Sequence, residues 1–225
     1  PVFSIMLVSY SQPHIPSSEY SNSLEHSIAY CARVSNPENQ NNSSTDQRLL
    51  KYLIKHNHWS PFEMVSICLE INSTRDICRQ IIRHRSFSFQ EFSQRYADAT
   101  VIGFESREGR LQDTKNRQNS FETDDSELLE EWEQKQKDVL DVSKKTYEWA
   151  LSNGIAKEQA RAVLPEGMTH SRMYMNGSLR SWMHYIQLRT GNGTQKEHRD
   201  VALSCAKTIA PIFPMILDFV ALNNE

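Results

Sequence analysis

Arg83-His84-Arg85, followed by Ser93, Arg95 and Tyr96, crowds cations and hydroxyl donors around a short apolar break. Forked guanidinium groups hold phosphate or carboxylate through paired hydrogen bonds, so the stretch has the composition of an anion cradle. Phe87, Phe89 and Tyr96 lie among the arginines and leave open a base-stacking surface for single-stranded nucleic acid. A solvated basic helix paired with surface carboxylates is the plain alternative. Ser93 lacks the G-x-S-x-G elbow of a hydrolase nucleophile, and its flanking arginines suit a shared anion better than an activated hydroxyl. His56 and His58 stand close together without an H-E-x-x-H pattern or a closed Cys/His set, so no metal site is expected. Neither a Walker loop nor G-x-G-x-x-G occurs, and any flavin or nicotinamide site must be of a non-Rossmann type.

Composition narrows these choices. The formal net charge of the 225-residue chain is -3, which supplies no global basic field for a nucleic-acid polymer and favours local phosphate recognition. Cys31, Cys68, Cys78 and Cys205 are scattered without a C-x-x-C pair, and this predicts reduced thiols in a cytoplasmic setting. No N-terminal stretch has the apolar core of a signal peptide and no run is long enough to span a bilayer, which predicts a soluble protein. Without an internal repeat or linker, residues 1–225 are expected to form one domain.

The elements that must carry the cluster follow from periodicity. Val2 to Val8 and the alternating run Val65, Ile67, Leu69, Ile71 predict strands, the second antiparallel with one polar face. Helices are expected over Asn22 to Val34 and Asp46 to His56. Ser73, Thr74 and Asp76 predict a helix start from which Arg75, Arg79 and Arg83 recur on one face, with Gln80 a helical step from Arg83. Val101 to Thr123 is polar and irregular, either a solvated insertion or a lid. Asp124 to Ser126 caps a long helix in which Leu129, Trp132, Val139, Ser143, Tyr147 and Ala150 form the expected inward stripe. Lys157 to Leu164 predicts a short helix, Thr169 to Met175 a strand, and Gly177-Ser178 opens a helix through Arg189. A last helical segment runs from Gln195 to Leu222 with breaks at Pro211 and Pro214.

Four blocks in order carry a resemblance: Cys31-Ala32-Arg33-Val34-Ser35, Tyr52 to Glu63 with His58-Trp59-Ser60-Pro61, Ala160-Arg161-Ala162-Val163-Leu164-Pro165, and Arg180 to Arg189. Together with Arg-His-Arg-x7-Ser from Arg83 to Ser93, they resemble the flavin-dependent thymidylate synthases over nearly the whole chain. The resemblance implies an α+β fold with a mainly antiparallel sheet flanked by helices, assembled as a homotetramer with shared active sites. It implies reductive methylation of dUMP, with 5,10-methylenetetrahydrofolate as carbon donor and FAD, recharged by NADPH, as hydride source. Gln80, Arg83, Glu91, Phe92, Ser93, Gln94 and Arg95 then fall where the family binds dUMP, with Arg161 approaching from a neighbouring subunit. Arg189 matches the arginine that polarises the uracil. Ser35, Ser60, Arg83, His84, Arg85, Ser86, Glu91, Ser178, Arg180 and His184 fall where FAD binds, with His58 near the flavin and the folate entrance. Ser35 and Ser60 could instead cap helices or turns, and His58 could be a satisfied turn residue. Gln94 replaces a common glycine, and Gln90 and His184 replace frequent asparagines. A flavin enzyme that methylates uridine in RNA is the remaining alternative.

Overall fold

Residues 3–15 and 23–221 are described by the computed structural model. Strands β1 (Ser4–Tyr10), β2 (Ser66–Thr74), β3 (Phe87–Glu91) and β6 (His170–Ser178) form one antiparallel sheet in the order β1-β2-β6-β3. Alternation along β2 and β6 sends Ile67, Leu69, Ile71, Met173 and Met175 to one buried face. Cys68, Glu70, Asn72, Arg172, Tyr174 and Asn176 occupy the other, partly or fully exposed one. The period of two therefore divides the sheet into a core side and a polar side.

Helices cover the core side. α1 (Leu24–Ala32), α2 (Asp46–Lys55), α6 (Leu179–Arg189) and α7 (Lys196–Ile209) contribute Ile28, Leu50, Trp182, Ile186, Ala202 and Cys205 to the main core. Trp182 keeps its indole N–H satisfied by donating to the Ile67 carbonyl at 3.0 Å, which lets the largest side chain sit fully buried. α2 ends on Asn57, whose φ of 58° gives a left-handed C-terminal cap. Ser178 ends β6 and caps α6 by accepting from the Ser181 N–H at 3.2 Å, as the Gly177-Ser178 signal predicts. Gly177 is required there because a Cβ would meet the Phe87 ring at 2.4 Å, and Phe87 is its partner in the β3–β6 register.

Several sequence expectations change. Val2, Asn22 and Leu222, ends of three predicted elements, lie outside the described residues. α3 (Arg75–Ile81) stops two residues short of Arg83, because the chain must turn to bury Phe87 against Trp182 and Tyr185. Arg83 is thus off the face shared by Arg75 and Arg79. α4 (Ser126–Ser152) is capped by Asp125, but its buried stripe is Gln136, Leu140, Ser143, Tyr147 and Ala150. Trp132 and Val139 are exposed instead, as are Leu128, Val142 and Trp149. The short α5 (Lys157–Ala160) gives way to a 3-10 turn at Arg161–Val163. The 101–123 segment holds the small hairpin β4 (Leu111–Gln112) and β5 (Ser120–Phe121) and is docked by its arginines. Arg107 donates to Thr74, Asp76 and the Gly167 carbonyl, each at 2.8 Å, and Arg110 donates to Glu197 at 2.7 Å. Those bonds make the segment a built part of the fold.

Candidate active site

The turn between α3 and β3 sorts the arginines into two kinds. Arg79 is ion-paired with Glu91, which Arg75 also faces at 3.8 Å and to which Ser171 donates at 2.7 Å. The Glu91 carboxylate is therefore committed to the fold, leaving its backbone for any ligand. Arg83 and Arg85 are exposed and carry no ion pair or side-chain hydrogen bond among the described residues. Two exposed guanidinium groups on one short turn, without a carboxylate, are placed to receive an anion from outside.

Behind them lies Arg189, in the last turn of α6, donating from Nε to His84 Nε2 at 2.8 Å. Burial first, and the Arg189 charge second, push the His84 pKa down to about 4, so the imidazole is neutral and accepts. Among the described residues the terminal N–H groups of Arg189 meet no other acceptor. His84 stands edge-on to Tyr185 at 4.9 Å, and Tyr185 meets the fully buried His198 at 3.1 Å. His198 Nδ1 in turn reaches Gln80 at 3.2 Å. Gln80 is thus joined to Tyr185 through the buried His198, and an edge-on ring contact joins Tyr185 to the His84–Arg189 pair.

A second group surrounds the start of α6. The Ser181 hydroxyl donates to the Ser86 carbonyl at 3.3 Å and lies 3.2 Å from that of Ser178, tying both predicted FAD positions to one place. In the first and second turns of the helix, Arg180 pairs with Glu63 at 2.9 Å and the His184 ring stands edge-on to Trp59 at 4.7 Å. Burial, then the neighbouring Arg180, lowers the His184 pKa. Ser60 follows Trp59 and is exposed, while His58 packs edge-on to Tyr52 at 6.4 Å. Tyr52 also lines a cavity of about 390 Å³ with Arg33 and Asn36, the residues flanking Val34-Ser35. Trp59 and Tyr52 are the aromatic surfaces here that the sequence blocks contained without a role.

The third group stands at the far end of β3. The Arg95 N–H donates to the Ser93 hydroxyl at 3.3 Å, and the Tyr96 and Ala97 N–H groups donate to the Ser93 carbonyl, curling residues 93–97 into a tight turn. Phe92 continues the strand by donating to the Arg172 carbonyl at 2.8 Å. Gln94 is buried, its amide nitrogen has no partner among the described residues, and its φ is negative, so the glycine-like position holds a side chain without left-handed strain. Arg95 pairs with Glu158 at 3.3 Å, and Arg161 Nε donates to the Glu158 carbonyl at 3.3 Å. Arg161 thus lies beside Arg95 within one chain. Gln90 is exposed on β3.

The match to known proteins is extensive. The model of the thymidylate synthase complementing protein family fits residues 18–215. The chain belongs to this family. It is 47% identical over 220 residues to a probable flavin-dependent thymidylate synthase of Paramecium bursaria Chlorella virus 1, covering 96% of this chain and 100% of the relative. A flavin-dependent thymidylate synthase of Synechocystis is 48% identical over 212 residues, covering 94% and 96%. Among solved structures, a UMP/dUMP methylase from Streptomyces cacaoi bound with 5-Br dUMP aligns with a TM-score of 0.79 at 27% identity, covering 96% of this chain and 93% of that one. The antiparallel sheet with its flanking helices is the fold of that family.

The donor set fits a flavin nucleotide. Arg83 and Arg85 offer unpaired charge for a diphosphate, Ser86 adds a hydroxyl, and the Ser178 hydroxyl, which donates to Ser181, stands beside it. Trp59 and His184 present ring surfaces at the same edge of α6.

Proposed function

We propose that the chain is a flavin-dependent thymidylate synthase that methylates dUMP to dTMP, with 5,10-methylenetetrahydrofolate supplying the carbon and NADPH recharging the flavin. FAD, when bound, supplies the hydride. The observation that carries this is the pairing of two unpartnered cations, Arg83 and Arg85, with an Arg189 whose only side-chain partner among the described residues is a neutral histidine. Arg189 is assigned to polarise the uracil: a guanidinium held half-buried by His84 keeps its full charge close to a carbonyl and stabilises the ring as its nitrogen loses a proton. Gln80, Arg83, Phe92, Ser93, Gln94, Arg95 and the backbone of Glu91 hold the nucleotide. Ser35, His58, Ser60, Arg83, His84, Arg85, Ser86, Ser178, Arg180 and His184 hold the flavin.

A homotetramer with Arg161 reaching a neighbouring site completes this assignment, and the chain acts as a single domain in the cytoplasm. Leu128, Trp132, Val139, Val142 and Trp149 support the assembly, because they recur at steps of four, seven, three and seven residues along α4 and are all more than 40% exposed. No helix among the described residues is long and apolar enough to cross a membrane.

Purified protein should bind FAD, shown by visible absorption, and form dTMP only with methylenetetrahydrofolate present. RNA offered in parallel with free dUMP separates this from uridine methylation in a polymer. A preparation that binds no FAD, or methylates RNA in preference to dUMP, overturns the assignment.

A further inference from the structure

The hydrogen-bond chain behind Gln80 has a direction, and one carboxylate sets it. Glu197, in the first turn of α7, accepts from Arg110 at 2.7 Å, lies 3.6 Å from Arg107, and accepts from Gln195 Nε2 at 2.9 Å. Burial alone would raise its pKa, but bonds from its own backbone N–H, Gln195 and Arg110 outweigh that and hold it below the usual range. An ionised carboxylate has no proton to give, so Gln195 must turn its amide nitrogen toward Glu197 and its oxygen away. That oxygen accepts from Gln80 Nε2 at 2.7 Å. Gln80 is then left with its oxygen facing His198 Nδ1 at 3.2 Å, and an oxygen there requires a proton on Nδ1. Burial, then Arg189 and His84, lower the His198 pKa to about 3, so the ring is neutral and Nε2 carries a lone pair. Tyr185 donates to it at 3.1 Å.

We propose that Glu197, anchored by Arg107 and Arg110 of the 101–123 segment, is a positioning residue that fixes the orientation of the Gln80 amide for the nucleotide. The role rests on Gln80 touching dUMP. With the chain set in this direction, Gln80 keeps one N–H and one oxygen lone pair in fixed places for a ligand. Reversing the Gln195 amide would aim its carbonyl at the Glu197 carboxylate, which costs more than a lost hydrogen bond. The segment thereby acquires a task at the site without covering it, and the buried His198 gains a reason to stand in line with Ala202, Cys205 and Ile209 on the apolar face of α7.

The test measures dUMP binding to the FAD-loaded enzyme by equilibrium dialysis, alongside KM and kcat. Glu197→Gln has the same shape but donates or accepts freely, and should raise Kd and KM for dUMP about tenfold while kcat stays within about twofold. His198→Leu should do the same. His198→Asn places an amide N–H near the Nδ1 position and should stay within about twofold of the parent. In a Gln80→Ala background, Glu197→Gln should add nothing. Should Glu197→Gln fail to load FAD or to fold, the Leu and Asn variants at His198 decide. If Gln80→Ala weakens dUMP binding while Glu197→Gln and His198→Leu do not, the positioning role is wrong and the nucleotide contact stands. If Gln80→Ala itself leaves binding unchanged, the contact is wrong.

Discussion

The turn at residues 82–86 and the segment at 101–123 are both rich in arginine, yet the two put that charge to opposite uses. Arg107 and Arg110 are each closed by carboxylates, Asp76 and Glu197 for the first, Glu108 and Glu197 for the second. Arg83 and Arg85 face solvent with none. Arg107 and Arg110 fasten one element to another through their counter-ions, whereas Arg83 and Arg85 are left available to a ligand. Position relative to acidic side chains, not arginine content, separates Arg107 and Arg110 from Arg83 and Arg85.

That contrast can be broken by substitution. Arg189→Ala should lower kcat/KM by about a hundredfold or more with little loss of stability, measured by steady-state kinetics and thermal melting. Retained turnover would remove Arg189 from the uracil. Arg107→Ala should act the other way round, destabilising by about 3 kcal/mol because Thr74, Asp76 and the Gly167 carbonyl lose a shared donor. Denaturant unfolding reads it, and a loss below about 0.5 kcal/mol would contradict a fastening role. Gly177→Ala should cost about 2 kcal/mol by pushing the Phe87 ring out of place.

Acid sharpens the comparison at His198. Its folded pKa of about 3 lies below the unfolded value of about 6.5, so below pH 6.5 the unfolded chain takes a proton that the folded chain refuses. Stability should therefore fall as pH drops from about 6.5 toward 4, by about 1.4 kcal/mol per unit from this group. His198→Asn should flatten that slope by about one proton in denaturation curves at several pH values. The smallest effect belongs to Lys115 and Arg117, exposed cations of the hairpin whose side chains make no ion pair among the described residues. Replacing both with alanine should change stability by less than about 0.5 kcal/mol.

Elements with a clean period were legible from the chain. β2 alternates as Ile67, Leu69 and Ile71 predict, and α6 starts at the Ser178 cap. α4 misled because its exposed residues, Trp132, Val139 and Trp149, are as apolar as its buried ones, and periodicity does not say which stripe faces the molecule. The length of α3 was hidden because Phe87 decides it through contacts almost a hundred residues away. The site divides likewise. Arginines could be read from residue type and spacing, but the link from Gln80 to His198 joins positions more than a hundred apart. The available signal was a histidine on the apolar stripe of α7, where a core position would otherwise be expected to be hydrophobic.

Phe87 seated over Gly177 also acts as a clasp on strand register. Its ring occupies the space a Cβ would need, so β3 has one alignment against β6. A residue inserted in the turn at 82–86 would be taken up there and leave the register of β3 in place. A residue inserted between Ser88 and Gln90 would turn every later side chain of β3 to the opposite face and carry Ser93 and Arg95 with it. Length is therefore negotiable in the turn and forbidden along the strand itself.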